Sequence, residues 1–334
     1  MGDGFREWWR WAAVKGRRVG ASVLGMTLVT VPGQEWVDAV GPVSGVELAV
    51  WDLDGVPDRA AEVTVVVPPY IGGGERLSAL SHLPNLELVQ LLTAGYDNVL
   101  AALPEGVRLA NAAGVHDAST AELAVALTLA SLRDLPDFVV AQRDRQWLPG
   151  GFHESLADKR VLVLGYGSIG RAIAARLTSF EVQVTAVASR ARSGDELVRS
   201  VHGVDELPAL LPHHEVVVVI VPLSEQTAGM VDDGFLSAMP DGALLVNVAR
   251  GGVVDTDALV RHARAGRVRA ALDVTDPEPL PAEHPLWGLP GVLITPHVGG
   301  ASTAFLPRAA RLLQEQLGAY AAGRPLRNLV AGSD

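Results

Sequence analysis

The stretch Val161-Leu-Val-Leu-Gly165-Tyr-Gly167-Ser-Ile-Gly170 decides how this chain folds. Four apolar residues that suit a buried strand end at Gly165, and Gly165, Gly167 and Gly170 give the spacing G-x-G-x-x-G. Arg171-Ala-Ile-Ala-Ala-Arg-Leu177 then continues as a helix. Strand, glycine turn and helix in this order form a dinucleotide-binding fingerprint. The first glycine permits a tight turn, the second lets backbone approach a pyrophosphate, and the third lets helix and strand pack closely. The helix N-terminus offers unpaired N–H groups to the phosphates. Tyr166, Ser168 and Ile169, between the glycines, are therefore cofactor-binding candidates.

Around this stretch the chain is long enough, at 334 residues, for two domains with real cores. It has no cysteine, which excludes disulfides, thiolate metal sites and a cysteine nucleophile. The net charge of −11 gives a nucleic-acid partner no electrostatic support. No segment reaches the roughly 18 uncharged apolar residues of a membrane span. A soluble, cytoplasmic enzyme with no membrane or metal partner is the expectation. Residues 1–25 differ from the rest: Trp8, Trp9 and Trp11 stand among Arg6, Arg10, Lys15, Arg17 and Arg18. Arg17-Arg18 ahead of Val19–Val31 resembles a twin-arginine export signal. However, Thr27–Val31 reads as the first strand of the domain, so residues 1–25 are expected to be a disordered extension.

From Thr27 onward, short β-rich runs alternate with helical stretches, which implies α/β domains with parallel sheets covered on both faces. The first series of strands is Leu28–Val31, Glu47–Trp51, Val63–Val67, Leu86–Leu91 and Val107–Ala110, with Gln34–Val40 and Gly74–Leu83 as crossover helices. Ala118–Leu132 is apolar around nearly its whole circumference, and so reads as a buried helix crossing between domains. A second series of six strands follows: Val161–Gly165, Gln183–Ala188, Glu215–Val221, Gly242–Asn247, Ala270–Val274 and Val292–Thr295. Ser302–Ala322 is a final helix expected to return to the first domain.

Three segments each follow a predicted strand: Asn247-Val-Ala-Arg-Gly-Gly252, Asp273-Val-Thr-Asp-Pro-Glu-Pro279 and Thr295-Pro-His-Val-Gly-Gly300. In open α/β sheets the strand C-terminal ends form the ligand crevice, so Arg250, Glu278 and His297 are expected to converge there. An arginine fork suits a carboxylate. Histidine suits proton transfer at neutral pH, and a carboxylate beside it orients the ring and favours the imidazolium. Pro68-Pro69-Tyr70 lies where strand ends should face the same crevice, which makes Tyr70 a candidate for the substrate wall. His116 is placed near the interdomain passage, and Gly72-Gly73-Gly74 reads as a loop rather than a phosphate cradle. Trp287 reads as packing.

The order GYGSIG, NVARGG, DPEPL and TPHVGG, with Leu92-Thr-Ala-Gly-Tyr-Asp-Asn98 before them, closely resembles the D-2-hydroxyacid dehydrogenases from about Met26 to Val330. The resemblance implies that Arg250 binds a 2-oxo acid, that His297 is the acid/base and that Glu278 is its partner. It further implies that Asp273 reaches the nicotinamide carboxamide and that backbone at Ala94 and Gly95 holds the substrate carboxylate. Pro222, Thr227, Val248 and Ala249 complete the implied cofactor contacts, and a homodimer is the implied assembly. The implied fold is two Rossmann-like domains, the cofactor domain (119–298) inserted into a flavodoxin-like substrate domain (26–118 and 299–334).

An acid about 19 residues past Gly170 would bond a ribose 2′-OH and select NAD. Here the chain reads Ala188-Ser-Arg-Ala-Arg192, so Ser189, Arg190 and Arg192 favour NADP over NAD. The rival readings are a dinucleotide-sensing, corepressor-like binding protein and a phosphoglycerate dehydrogenase lacking a regulatory domain. Glu278 argues against formate dehydrogenases, which resemble this family but carry glutamine at that position.

Overall fold

The computed structural model describes residues 26–70, 74–96, 99–149 and 151–331; the expected extension and Gly72-Gly73 lie outside these residues. In chain order come β1 (Thr27–Val31), α1 (Gln34–Val40), β2 (Val46–Val50), β3 (Val63–Val66), β4 (Leu88–Gln90) and β5 (Arg108–Ala110). Then follow α2 (Asp117–Leu132), α3 (Leu135–Arg143), β6 (Arg160–Leu164), α4 (Ser168–Leu177), β7 (Gln183–Ala188), β8 (Arg192–Ser193), β9 (Ser200–Gly203) and β10 (Val216–Val219). The chain ends with α5 (Asp233–Ala238), β11 (Ala243–Asn247), α6 (Thr256–Arg264), β12 (Val268–Leu272), β13 (Val292–Ile294), α7 (Phe305–Ala321) and β14 (Leu329–Ala331).

Two sheets result. The first has the order β14-β5-β4-β3-β1-β2, parallel except for β14; its β2-β1-β3-β4-β5 core is the flavodoxin-like order. The second runs β13-β12-β11-β10-β6-β7-β9-β8, a doubly wound dinucleotide-binding sheet in which only β8 is antiparallel. Its central strand β10 is four valines, all buried, as expected for a parallel strand covered on both faces. The strand order reverses between β6 and β10, and the glycine turn sits there. Gly165 has φ +109, and a Cβ on it would collide with the Ile220 carbonyl. A Cβ on Gly170 would collide with the Gly165 carbonyl. Both positions therefore require glycine for packing alone.

Two segments join the sheets. Helix α2 leaves the first and packs Ala121, Ala124, Leu127 and Leu132 against Val161 and Val163 of β6 and Val216 and Val218 of β10. Helix α7 returns, burying Ala309, Leu313 and Leu317 against Val29, Val31 and Leu88. Near its start, Ser302 Oγ meets Ser119 Oγ at 2.6 Å, so the two crossings touch.

Some elements differ from the sequence reading. Gly74–His82 is a 3₁₀ helix rather than an α-helix, and the Ser81 hydroxyl donates to the Ser78 carbonyl within it. The second sheet holds eight strands rather than six, because β9 carries one apolar run-former, Val201, and β8 is two residues long. Helix α3 forms in a stretch where the sequence reading placed no element. Trp287 is half exposed, its indole N–H donating to the Pro281 carbonyl.

Candidate active site

The site is assembled from the ends of β4, β11, β12 and β13. Where β11 ends, the Asn247 side chain accepts from the Ala249 N–H (3.0 Å) and donates to the Arg250 carbonyl (3.0 Å). This fixes the turn that turns Arg250 toward the crevice, where its Nη1 also donates to the Ala249 carbonyl at 2.8 Å. A Cβ on Gly251 would collide with the Thr275 carbonyl, so glycine is what lets this turn press against the 273–279 loop.

Asp273, at the end of β12, is 2% exposed and organises the histidine loop. Its Oδ1 accepts from the Thr295 hydroxyl (2.6 Å) and the Val298 N–H (2.9 Å), its Oδ2 from the Gly299 N–H (2.8 Å), and its carbonyl from the His297 N–H (2.7 Å). These bonds hold His297 at φ +52, a left-handed conformation that costs a non-glycine residue about 1 kcal/mol or more. His297 Nδ1 lies 2.6 Å from Glu278 Oε1. An ionised carboxylate only accepts, so Nδ1 carries the proton and Nε2 is the nitrogen left for chemistry. Both side chains are nearly half exposed, so the pair serves orientation more than stability.

The loop after β4 has an unusual division of its backbone groups. The Leu92 carbonyl accepts from His116 Nε2 (2.8 Å), that of Thr93 from the Ala112 N–H (2.8 Å), and that of Ala94 from Asn111 Nδ2 (2.7 Å). The Gly95 carbonyl accepts from the Thr93 hydroxyl (2.7 Å). Among the described residues, the N–H groups of Thr93, Ala94 and Gly95 have no acceptor. Four carbonyls are thus tied back while three donors remain for an anion.

Tyr70, Ala94, Gly95, His116, Arg250 and His297 line one cavity of about 530 Å³, which extends to Ile169, Ile220 and Val248 beside the glycine turn. Tyr70 packs on Phe305 at a tilt (ring centroids 4.3 Å apart, 35° between planes) and stacks on His116 (5.5 Å). Burial, with the Asp273 charge adding to it, raises the Tyr70 phenol above its ordinary value, so its hydroxyl keeps its proton.

On the cofactor side, the residues fit a dinucleotide. Gly167 differs from its two neighbours in the motif: a Cβ there meets nothing within 4 Å, so protein packing does not demand a glycine, whereas an approaching pyrophosphate does. The Tyr166 hydroxyl bonds Asp195 (3.0 Å) and the Ser168 hydroxyl bonds Asp117 (3.2 Å), so Tyr166 and Ser168 present backbone to the cleft. The Thr227 hydroxyl is used within its own turn, donating to the Pro222 carbonyl at 2.6 Å. Val248 lines the cavity, while Ala249 is buried in the core behind it. Ser189 and Arg190 are exposed, and Arg190 has no partner among the described residues. Arg192 instead braces the glycine turn by donating to the Tyr166 carbonyl at 2.7 Å.

A family model for the D-isomer specific 2-hydroxyacid dehydrogenase, NAD binding domain, matches residues 125–299. The chain belongs to this family. It is 32% identical to a human glyoxylate reductase/hydroxypyruvate reductase over 72% of this chain and 76% of that one. It is 34% identical to an Archaeoglobus fulgidus D-3-phosphoglycerate dehydrogenase over 74% of this chain, and the match spans 47% of that enzyme's length. A D-isomer specific 2-hydroxyacid dehydrogenase from Xanthobacter autotrophicus Py2, solved in complex with NADPH and MES, superposes with a TM-score of 0.78 at 33% identity, covering 92% of this chain and 98% of that one. A glyoxylate/hydroxypyruvate reductase from Sinorhizobium meliloti, solved with NADP and malonate, gives a TM-score of 0.74 at 26% identity, covering 92% and 97%. This dehydrogenase is accordingly an oxidoreductase that uses a nicotinamide dinucleotide to interconvert 2-oxo and 2-hydroxy acids.

Sequence reasoning underrated His116, which is 5% exposed and lines the cavity of the dehydrogenase. It missed Asn111, Thr295 and Phe305. The signal for Asn111 and His116 was their place on the crossing segment just before α2.

Proposed function

We propose that the protein reduces a short 2-oxo acid, of the size of glyoxylate or hydroxypyruvate, to the D-2-hydroxy acid with NADPH. The observation that carries this is one crevice holding three groups of donors and acids: the 2.6 Å His297–Glu278 pair, Arg250, and the unused N–H groups of residues 93–95. The nicotinamide, when bound, supplies the hydride for reduction. The N–H groups of Thr93, Ala94 and Gly95 and the Arg250 fork bind the substrate carboxylate, and Arg250 polarises the keto group beside it. His297 Nε2 gives the ketone oxygen its proton, while Glu278 stabilises the charged ring before transfer and fixes its tautomer after it. Reduction therefore needs protonated His297, and the reverse oxidation needs the neutral ring. Asp273 holds the loop that carries His297, and its carboxylate would accept from the nicotinamide carboxamide when the cofactor is bound.

The cavity of about 530 Å³ has to take the nicotinamide ring as well as the acid, and Tyr70 forms part of its wall, which favours short substrates. For the cofactor, the exposed Ser189 and Arg190 suit a 2′-phosphate. The nearby acid Asp195 is already engaged: the Leu197 and Val198 N–H groups, Tyr166 and Arg171 hold its carboxyl down to about 2. The relatives named for glyoxylate and hydroxypyruvate and the neighbours solved with NADPH or NADP support the same choice.

The assembly we propose is a homodimer closed by α3 and the residues 144–149 that follow it, together with Phe152. Leu135, Val139 and Val140 of α3, and after it Trp147 (94% exposed) and Phe152, are exposed apolar side chains that a second copy of the chain would cover.

Initial rates for glyoxylate, hydroxypyruvate, pyruvate and bulkier 2-oxo acids, each with NADPH and NADH, test the proposal. Fastest turnover of a two- or three-carbon acid with NADPH is expected. Cofactor binding with no turnover of any 2-oxo acid would instead support a sensing protein.

A further inference from the structure

We infer that His116 is a positioning residue for the substrate carboxylate, because its imidazole clamps the Leu92 carbonyl and so holds the 92–95 loop in its anion-binding form. This rests on the proposed role of that loop in carboxylate binding.

His116 stands at the N-terminus of α2, 24 positions after Leu92, and its Nε2 lies 2.8 Å from the Leu92 carbonyl oxygen. A carbonyl only accepts, so Nε2 carries the proton. The other nitrogen, Nδ1, is buried and has no partner among the described residues. A side chain retained in the interior with one polar atom unsatisfied needs a compensating role for its other atom, since an unmet buried acceptor is costly. That role is the Leu92 bond. The loop's next two carbonyls are held by the same short segment, Thr93 by the Ala112 N–H and Ala94 by Asn111 Nδ2. The segment 111–116 is also the first passage between the two sheets. Every clamp on the loop except the Thr93 hydroxyl therefore comes from the interdomain crossing, so movement of that crossing is transmitted to the donors that face the substrate.

Packing around the ring supports the assignment. His116 lies nearly parallel to Phe305 (centroids 5.2 Å apart, 16° between planes) and to Tyr70 (22°). A Cβ on Gly300 would approach His116 Nδ1 to 2.8 Å and the Tyr70 hydroxyl to 2.6 Å. Glycine at 300, in the return crossing, thus leaves the ring just enough room to reach Leu92. The imidazole is set by both interdomain passages.

The test compares wild type, His116→Phe and His116→Gln as full-length protein with NADPH. Phenylalanine keeps a flat ring for the stack and removes the N–H; glutamine restores a donor of similar reach. Losing one such bond is expected to raise KM for the 2-oxo acid about fivefold to tenfold. The Kd of oxalate for the NADPH complex, read by nicotinamide fluorescence, should rise in parallel, while kcat changes less than about twofold and NADPH affinity stays. His116→Gln should recover most of the loss. If His116→Phe does not fold, His116→Asn, whose amide is too short to reach Leu92, carries the comparison. Unchanged KM and oxalate affinity in a folded variant, failure of His116→Gln to rescue, or a fall in Tm and kcat at constant KM would each overturn the assignment. Should wild type reduce no 2-oxo acid, the proposed activity fails, yet oxalate binding still decides the role of His116.

Discussion

Gly167 and Gly170 lie three residues apart in one motif, and their replacements should fail in opposite ways. In Gly170→Ala the new methyl falls on the Gly165 carbonyl, a backbone atom that cannot rotate away. Overpacking of this kind costs about 1–3 kcal/mol, offset by up to about 1 kcal/mol from the better helix propensity of alanine. The net loss of about 1–2 kcal/mol corresponds to a Tm lower by about 2–8 °C for a domain of this size. In Gly167→Ala the methyl meets no protein atom within 4 Å, and its φ of −91° is open to any residue, so stability should stay within about 0.5 kcal/mol. Its methyl instead occupies the space a pyrophosphate needs, and NADPH affinity should drop at least tenfold. Thermal unfolding without cofactor and NADPH titration by fluorescence separate the two effects. A Gly167→Ala protein that binds NADPH like wild type would refute the reasoning, as would one that unfolds as early as Gly170→Ala.

Arg190→Ala should raise KM for NADPH several-fold and leave that for NADH unchanged; equal loss for both would remove Arg190 from the 2′ site. Trp147→Asp with Phe152→Asp should convert a dimer to a monomer in light scattering, and an unchanged mass would place the interface elsewhere. Asp195 titrates near 2 in the fold against about 3.9 unfolded, so its contribution to stability is present above about pH 4 and lost as pH falls toward 2. Asp195→Asn should therefore lower Tm at pH 7 while narrowing the gap to wild type at pH 3; a constant gap would contradict the account in which the Leu197 and Val198 N–H groups, Tyr166 and Arg171 hold the charged carboxylate.

Much of the site was legible because its chemistry is local. Asn247 folds its own turn within three residues, the three glycines of 165–170 act on their neighbours, and Arg250, Glu278 and His297 sit just past strands that alternate with helices. What the sequence hid depends on contacts between distant residues. His116 bonds a carbonyl 24 positions earlier, Phe305 packs on Tyr70 across 235 positions, and Asp273 anchors the histidine loop through backbone donors that almost any residue type would supply. Strand β9, Ser200-Val-His-Gly203, is held by pairing with β7 rather than by an apolar run, so no pattern announced it.

The central claim is that His297, partnered by Glu278, delivers the proton in 2-oxo acid reduction. The most direct measurement is kcat/KM for reduction with NADPH from pH 5 to 9 in wild type, Glu278→Gln and His297→Ala. Wild type should lose activity as pH rises, because reduction draws a proton from the His297 ring. Glu278→Gln, lacking the carboxylate that accepts from Nδ1 at 2.6 Å, should reduce more slowly at every pH while keeping its KM for the 2-oxo acid. His297→Ala should lose the pH dependence and about 100- to 10,000-fold of rate. A Glu278→Gln or His297→Ala protein with near wild-type rate would contradict the account.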